Sequence, residues 1–370
     1  MTEKINIAII AGQLVVGGAE RQLYLWLSNM DRSRFDPIVL SLHPGHDDYW
    51  EKPIAALGIP LFFIQQRKWR FLRLIDIIKI LRPYKPKLIH GWHLFTSPYA
   101  GLSAKILNAK SIGGVRSSLN YQKHIPFELI LTLALSDCIL TNSTVAASKL
   151  SKIKFPHKKV ITVHNALEPR QLDRVTTRKF LAEKFNLDPD QLWVCSLGRM
   201  IPTKRFDILL QLVSKIIHET GPFHCILIGD GPEKANLEKL TIELEISNFI
   251  TFTGEIPNAE SWLPGMDIFC FPSVDEGLPN VMMEAAMAAL PIIAWNYPFN
   301  QELAENDSMA MLIEPGDVKS FTEKLRILLG SKEIRTQLGT KARSHVLNDF
   351  SIVKYVQKMT NVYLSILQKS

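Results

Sequence analysis

Four cysteines stand in 370 residues. Cys138, Cys195, Cys225 and Cys270 lie far apart, and three of them fall inside apolar, strand-like runs. That scatter excludes a disulfide framework or a cysteine zinc site and reads as buried free thiols in a reducing cytoplasm. Long hydrophobic runs are missing as well. The stretches around Leu129–Leu135 and Val281–Ala294 are short or interrupted by Glu or Pro, well under the ~18 residues that cross a bilayer. The start, "MTEKINIAII", has too short an apolar stretch to read as a signal peptide, and no small-residue cleavage site follows it. No repeat, no low-complexity segment and no nucleic-acid-binding motif can be found, so nucleic acid is not an expected partner.

What is there is a globular mixture, 46% hydrophobic and 21% charged, of a length that suggests about two domains. Net charge is +7, but residues 1–170 carry 23 Lys and Arg against 11 Asp and Glu, while the remainder carries 20 against 25. The first half is therefore the one expected to meet an anionic surface or substrate. Within it, residues 65–87 interleave Arg67, Lys68, Arg70, Arg73, Lys79 and Arg82 with Trp69, Phe71, Leu72 and several isoleucines. A basic amphipathic helix of this kind suits an anionic membrane surface; it equally suits packing on a sheet.

Short β-rich runs alternate with helix-length segments along the whole chain. "INIAII", "PIVLSL", "PLFFI", "KLIHGW", "SIGGV", "DCILT" and "KVITV" read as strands in the first half. "WVCSLG", "HCILIG", "FITFTG", "DIFCFP", "PIIAW" and "AMLIEP" read as strands in the second. Such alternation predicts α/β architecture: two doubly wound, Rossmann-like parallel-sheet domains in tandem. The boundary is expected near residues 164–173, giving domains 1–168 and 169–349 and a C-terminal helix, 350–370, that returns to the first domain.

Ligands of such sheets bind beyond the carboxyl ends of the strands, which directs attention to three loops. After the first strand, Gly17 and Gly18 precede a helix; paired glycines allow close backbone approach to an anion, or simply make a tight turn. After "WVCSL" come Gly198, Arg199 and, at the mouth of a helix, Lys204, two cations placed either to hold a diphosphate or to stay solvated. The third loop, "FPSVDEGLPNVMMEAAMAALPIIA", carries Glu276 and Glu284 on either side of Gly277-Leu278-Pro279-Asn280. With the helix starting inside that turn, the two carboxylates are on the order of 8–10 Å apart along its axis, too far for a metal pair and suited to holding two ends of one ligand by its hydroxyls. Free amides of Gly277, Leu278 and Asn280 would face phosphate. Asp188-Pro189-Asp190, which could suggest a metal site, reads as a turn at the wrong end of the sheet.

In order and spacing, "GGAERQL", "GRMIPTK", "LIGDGPEKANLEKL", "ITFTGEIPNAESWLPGMDIFCFPS" and the Glu-x7-Glu pair resemble the family 4 retaining glycosyltransferases of GT-B fold, across essentially the whole chain. The resemblance implies two domains facing across a cleft, a nucleotide-sugar donor, with UDP the expected nucleotide, on the C-terminal one, and an acceptor on the N-terminal one. It implies Arg199 and Lys204 on the diphosphate, Glu276 on the transferred sugar, Glu284 on the ribose, Glu255 and Ile256 at the base, and Gly18 over the phosphates. It also implies cell-surface polysaccharide or lipopolysaccharide synthesis on a glycan or polyprenyl-diphosphate-linked acceptor, without a metal cofactor, in the cytoplasm or at the inner face of its membrane. Four places depart from the family's pattern, the first being "IHGWHLF", which does not match the family's His-x-His at this strand end. Arg116 stands where many members have a histidine, Arg205 follows Lys204 where glycine is commoner, and Ala166 follows Asn165. His90, His93 and Arg116 are thus the acceptor-side or catalytic candidates, with none preferred. A UDP-N-acetylhexosamine epimerase of similar fold, or a non-catalytic partner subunit, are the alternative readings.

Overall fold

The structure is a computed structural model describing residues 4–45, 48–65, 70–117, 119, 126–153, 159–220, 223–304 and 309–368. The chain divides into two compact units, Met1–Ala166 together with Ile352–Ser370, and Leu167–Ser351. In the first, strands β1 (Ile5–Ala11), β2 (Phe35–Ser41), β3 (Leu61–Phe63), β4 (Leu88–Gly91), β5 (Lys110–Val115), β6 (Cys138–Thr141) and β7 (Lys159–Thr162) form one parallel sheet in the order 3-2-1-4-5-6-7. In the second, β8 (Trp193–Leu197), β9 (His224–Ile228), β10 (Ile250–Phe252), β11 (Ile268–Phe271), β12 (Ile292–Trp295) and β13 (Met311–Ile313) form another, ordered 10-9-8-11-12-13. Both sheets are the doubly wound arrangement expected from the alternation.

Helices α1 (Gly18–Asn29), α2 (Glu51–Ala55), α3 (Arg70–Leu81), α4 (Ser97–Leu107), α5 (Phe127–Leu135) and α6 (Thr144–Ser151) belong to the first unit. The second has α7 (Arg174–Phe185), α8 (Phe206–Thr220), α9 (Lys234–Glu243), α10 (Asn280–Met287), α11 (Pro298–Gln301), α12 (Val318–Gly330) and α13 (Lys332–Asp349). The last helix, α14 (Ile352–Leu367), rejoins the first unit, where it sets Tyr355, Met359 and Tyr363 among that unit's buried residues. Central strands such as β1 bury residues of both faces, as parallel sheets covered on both sides require. Helix α1 buries Leu23, Trp26 and Leu27 at helical spacing, and the Trp26 and Phe35 rings meet Tyr363 edge-on at 5.2 and 5.9 Å.

Helix α7 is not anticipated from sequence, because it buries only Leu181 and Ala182. Polar contacts supply what its apolar face lacks. Asp173 caps it by accepting from the Thr176 amide at 3.0 Å, and Arg174 and Arg178 converge on the buried Asp267, the latter at 2.7 Å. The segment 188–190 is a turn closed by the Asp190 amide on Asp188 Oδ1, 2.8 Å. The four cysteines are free and buried. Among the described residues no helix is long and apolar enough to cross a membrane. Of the basic segment, Arg67, Lys68 and Trp69 lie outside the described residues.

Each sheet also buries a histidine. His90 on β4 is fully buried, and desolvation, with smaller help from the Arg116 and His93 charges, holds its pKa well below the usual value. His224 on β9 is brought by burial down to about 4 and lies 2.8 Å from Thr251 Oγ1. The unfolded chain takes up these protons near the ordinary value of 6.5, so protons favour unfolding. Stability is fully present above that pH and declines as pH falls toward about 4. The thermal midpoint is expected to drop across this window, and His224→Gln should flatten the decline; an unchanged profile in the variant would contradict the assignment.

Candidate functional site

In both sheets the strand order reverses once, at β1/β4 and at β8/β11. Loops leaving neighbouring strands at such a point turn in opposite directions and open a crevice at their carboxyl ends. The residues singled out from sequence are concentrated at these two places.

In the second unit, β8 runs directly into Gly198, and β11 into Ser273 and Glu276. Lys204 closes a short 3-10 turn, Pro202–Lys204, and its ammonium pairs with Glu276 Oε1, the two side chains only 17% and 16% exposed. The fully buried Ser273 hydroxyl lies 2.8 Å from the same carboxylate oxygen and 3.2 Å from the Thr203 carbonyl. The Val274 amide donates to that carbonyl at 2.9 Å. The loops after β8 and β11 are thereby joined through both backbone and side chain. Arg205 adopts the left-handed conformation, φ 51°, which costs roughly 1–2 kcal/mol outside glycine. Its guanidinium grips Asp207 at 2.8–3.2 Å, so the departure from glycine has a local compensation. Arg199 is exposed, and its guanidinium makes no hydrogen bond or ion pair among the described residues.

A layer of glycines supports this loop. Gly198, Gly229 and Gly231 have φ of 156°, 132° and 158°. A Cβ on Gly229 would lie 2.1 Å from the Gly198 carbonyl oxygen, and one on Gly231 would lie 2.4 Å from that of Met200. The close approach allows the Gly198 amide to reach the Ile228 carbonyl at 2.9 Å, and the Met200 amide to reach that of Asp230 at 2.8 Å. The Gly229 amide in turn bonds the Gly254 carbonyl at 3.1 Å, placing exposed Glu255 and half-buried Ile256 next in line. Ser273, Gly229 and Gly231 were not among the residues expected at the site. The Gly-Asp-Gly following β9 was the available signal for the two glycines.

Helix α10 begins at Asn280, inside the turn, as the sequence reading expects. Pro279 is its N-cap, with extended ψ of 100°, and the Met282 amide already bonds the Pro279 carbonyl at 3.2 Å. Asn280, one of the three residues expected to present amides, and Val281 are the first two residues of the helix, and Gly277 and Leu278 come just before its N-cap. Leu278 and Pro279 are buried, Gly277 and Asn280 half-buried. Glu284 is half-buried on a helix whose Met282, Met283, Ala285, Ala286 and Met287 are buried.

In the first unit, Gly17 is the N-cap of α1 and Gly18 its first residue. His93 follows β4. Its Nδ1 accepts from the Gly12 amide at 3.2 Å, so the proton is on Nε2, which donates to Glu20 Oε1 at 3.0 Å. Phe95 stacks on the ring at 5.4 Å. Both nitrogens are thus engaged, and His93 ties the glycine loop to the end of β1. His90 accepts from the Tyr363 hydroxyl at 2.8 Å, that hydroxyl taking the Trp26 N–H at 3.2 Å. It is a neutral core residue. Arg116, after β5, lies 3.8 Å over the Trp92 ring and donates to Asn165 Oδ1 at 3.2 Å. Burial lowers its pKa, and the Tyr355 hydroxyl bound to it works the other way.

Comparison with known proteins adds to this geometry. Residues 177–345 match the family described as glycosyl transferases group 1, and residues 16–171 match glycosyltransferase family 4. The lipopolysaccharide core biosynthesis glycosyltransferase LpsE of Rhizobium meliloti is 23% identical over 355 residues, 95% of this chain and 96% of its own. An Escherichia coli enzyme, UDP-Gal:alpha-D-GlcNAc-diphosphoundecaprenol alpha-1,3-galactosyltransferase, is 21% identical over 98% of both chains. In fold, the chain resembles Anabaena HepE in complex with UDP-glucose, with a TM-score of 0.85 at 16% identity, over 98% of this chain and 100% of that one.

The glycine layer makes a direct prediction. Gly229→Ala forces a side chain against the Gly198 carbonyl in a backbone conformation that alanine avoids, and should cost about 2 kcal/mol or more. The thermal midpoint should fall by several degrees, while Gly316→Ala, also at positive φ but with open space around it, should cost less. Equal losses would contradict the close-packing account.

Proposed function

The chain belongs to family 4 of the glycosyltransferases, with the two parallel-sheet, Rossmann-like units of the GT-B fold, and we propose that it transfers a hexose or N-acetylhexosamine from a UDP-sugar, with retention, to a glycan or polyprenyl-diphosphate-linked acceptor. The process served is lipopolysaccharide or related cell-surface polysaccharide synthesis, the setting named for LpsE, and the E. coli enzyme's name gives a diphosphoundecaprenol-linked acceptor. The carrying observation is the Lys204–Glu276–Ser273 constellation at the β8/β11 switch point. It puts a cation and a carboxylate together at one strand edge.

As the bond from the sugar's anomeric carbon to phosphate breaks, negative charge grows on the departing diphosphate and must be met by groups already in place. Arg199, with its guanidinium uncommitted among the described residues, Lys204 and the Asn280 and Val281 amides supply that charge. Glu276, held by Ser273, accepts hydroxyls of the transferred sugar; Glu284 takes the ribose, and the Glu255–Ile256 backbone the base. The acceptor oxygen bonds to the anomeric carbon on the face the diphosphate leaves, and a diphosphate oxygen takes its proton. With these cations at the leaving group, no divalent metal is assigned a role. The acceptor belongs to the first unit, near Arg116 and the glycine loop.

Helix α3 supports peripheral membrane attachment at the inner face of the cytoplasmic membrane. It buries Ile77 and Leu81 yet leaves Phe71 and Ile75 59% and 42% exposed.

Across a panel of nucleotide sugars, UDP release is expected from a UDP-hexose or UDP-N-acetylhexosamine, persisting in EDTA. Accumulation of an epimer without acceptor, or no turnover of any donor, would contradict the proposal. Cosedimentation with anionic, but not neutral, liposomes at physiological salt should accompany it, and Phe71→Ser should weaken it; equal recovery in the supernatant with both would remove the membrane claim.

A further inference from the structure

At the opposite end of the second sheet, where β8 and β11 begin, two cavities adjoin. One, of about 410 Å³, lies between α13 and the segment 288–291 that leads into β12. The other, of about 790 Å³, runs along α7. Arg174, Asp267, Lys332 and Arg335 line both. In the smaller cavity these are the charged residues of the lining, three cations against one carboxylate.

That carboxylate is already fully engaged. Asp267 Oδ1 accepts from Arg174 at 2.5 Å, and Oδ2 accepts from Arg178 at 2.7 Å and from the Trp193 amide at 2.8 Å. Arg335 spends only Nη1, on the Leu328 and Leu329 carbonyls at 2.5 and 3.1 Å. Its Nε and Nη2 have no partner among the described residues, and neither is sealed from solvent. The exposed Lys332 ammonium likewise makes no hydrogen bond or ion pair among the described residues. Lys332 is the first residue of α13, so the positive end of that helix adds to its charge. Burial lowers the Arg335 pKa; Asp267 opposes the shift and the nearby Arg174 charge reinforces it. Cations gathered this closely, with open donors and no anion left over, attract one from solution.

We propose that the two cavities together bind a small phosphate monoester, its phosphate among Arg174, Lys332 and Arg335 and its organic body in the larger cavity. A guanidinium fork and an ammonium are the donors that suit phosphate, and Thr340, two turns on from Lys332 along α13, adds a hydroxyl to the same wall. The larger cavity offers Val175, Ala182, Leu187 and Leu192 to the organic body, and its volume is that of small-molecule sites. Glu183 and Asp190 line only this larger cavity, and Glu183 has Lys179 at 4.0 Å. The five residues of β8 hold this site on the order of 15 Å from Gly198. Its phosphate is therefore separate from the diphosphate assigned to Arg199 and Lys204, and the site stands whether or not the chain is a transferase.

The test titrates the full chain at physiological salt with inorganic phosphate, AMP and glucose 1-phosphate, as wild type, Lys332→Glu, Lys332→Arg and Arg199→Ala. At least one ester should bind the wild type, Lys332→Arg and Arg199→Ala alike, and more tightly than inorganic phosphate. Lys332→Glu should bind it ~10-fold or more weakly, the loss of a charge-assisted hydrogen bond, with the ligand-free thermal midpoint unchanged because the side chain has no partner to lose. No ester bound by the wild type, an affinity indifferent to Lys332→Glu, or binding lost in Arg199→Ala alone would overturn the site. Inorganic phosphate bound as tightly as the esters would overturn the role of the larger cavity. UDP affinity in the same samples reports on the transferase reading separately: it should fall in Arg199→Ala and hold in Lys332→Glu, and its absence would defeat that reading while leaving the phosphate monoester site intact.

Discussion

Lys204 and Glu276 are 72 positions apart and meet at the ends of neighbouring strands. Either charge alone at such low exposure would be costly; together, with Ser273 donating to the shared oxygen, they form a neutral, fixed unit. Losing one partner of such a pair costs ~3 kcal/mol, because the survivor is left desolvated. The roles proposed for Glu276 as a hydroxyl acceptor and for Lys204 as a cation at the diphosphate thus rest on one structural property. The Gly198–Gly229–Gly254 layer beneath is the condition for it, since it lets three loop backbones approach within hydrogen-bonding distance.

The first unit is organised differently. Its polar groups are largely consumed in bracing: His93 between Gly12 and Glu20, His90 against Tyr363, Arg116 against Trp92, Asn165 and Tyr355. The fully buried Gln22 bonds both the amide and the carbonyl of Ala166, at 2.9 and 2.8 Å, where the chain leaves this unit. Helix α14 contributes Tyr355 and Tyr363 to the same network from the far end of the sequence. Such bracing fixes the loops after β1 and β4.

Much of this was legible in the residues. Alternating apolar runs disclosed both sheets, and strand-end loops directed attention to Arg199, Lys204 and Glu276, because buried parallel strands and their exits have strong local signatures. Contacts made across the sheet had none. A histidine after β4 looks like a catalytic candidate until Gly12 and Glu20, more than 70 positions away, are found on its two nitrogens. The tyrosines that neutralise His90 and meet Arg116 come from α14. Helix α7 escaped notice because its stability derives from Asp267, far along the chain, instead of an apolar stripe.

A double-mutant cycle on kcat/KM for the donor tests the unity of Lys204 and Glu276 most directly. Lys204→Ala and Glu276→Ala should each be severely impaired, with the double variant scarcely worse than the poorer single one, a coupling of at least ~1.5 kcal/mol. Losses that simply multiply would show two independent groups and contradict the account.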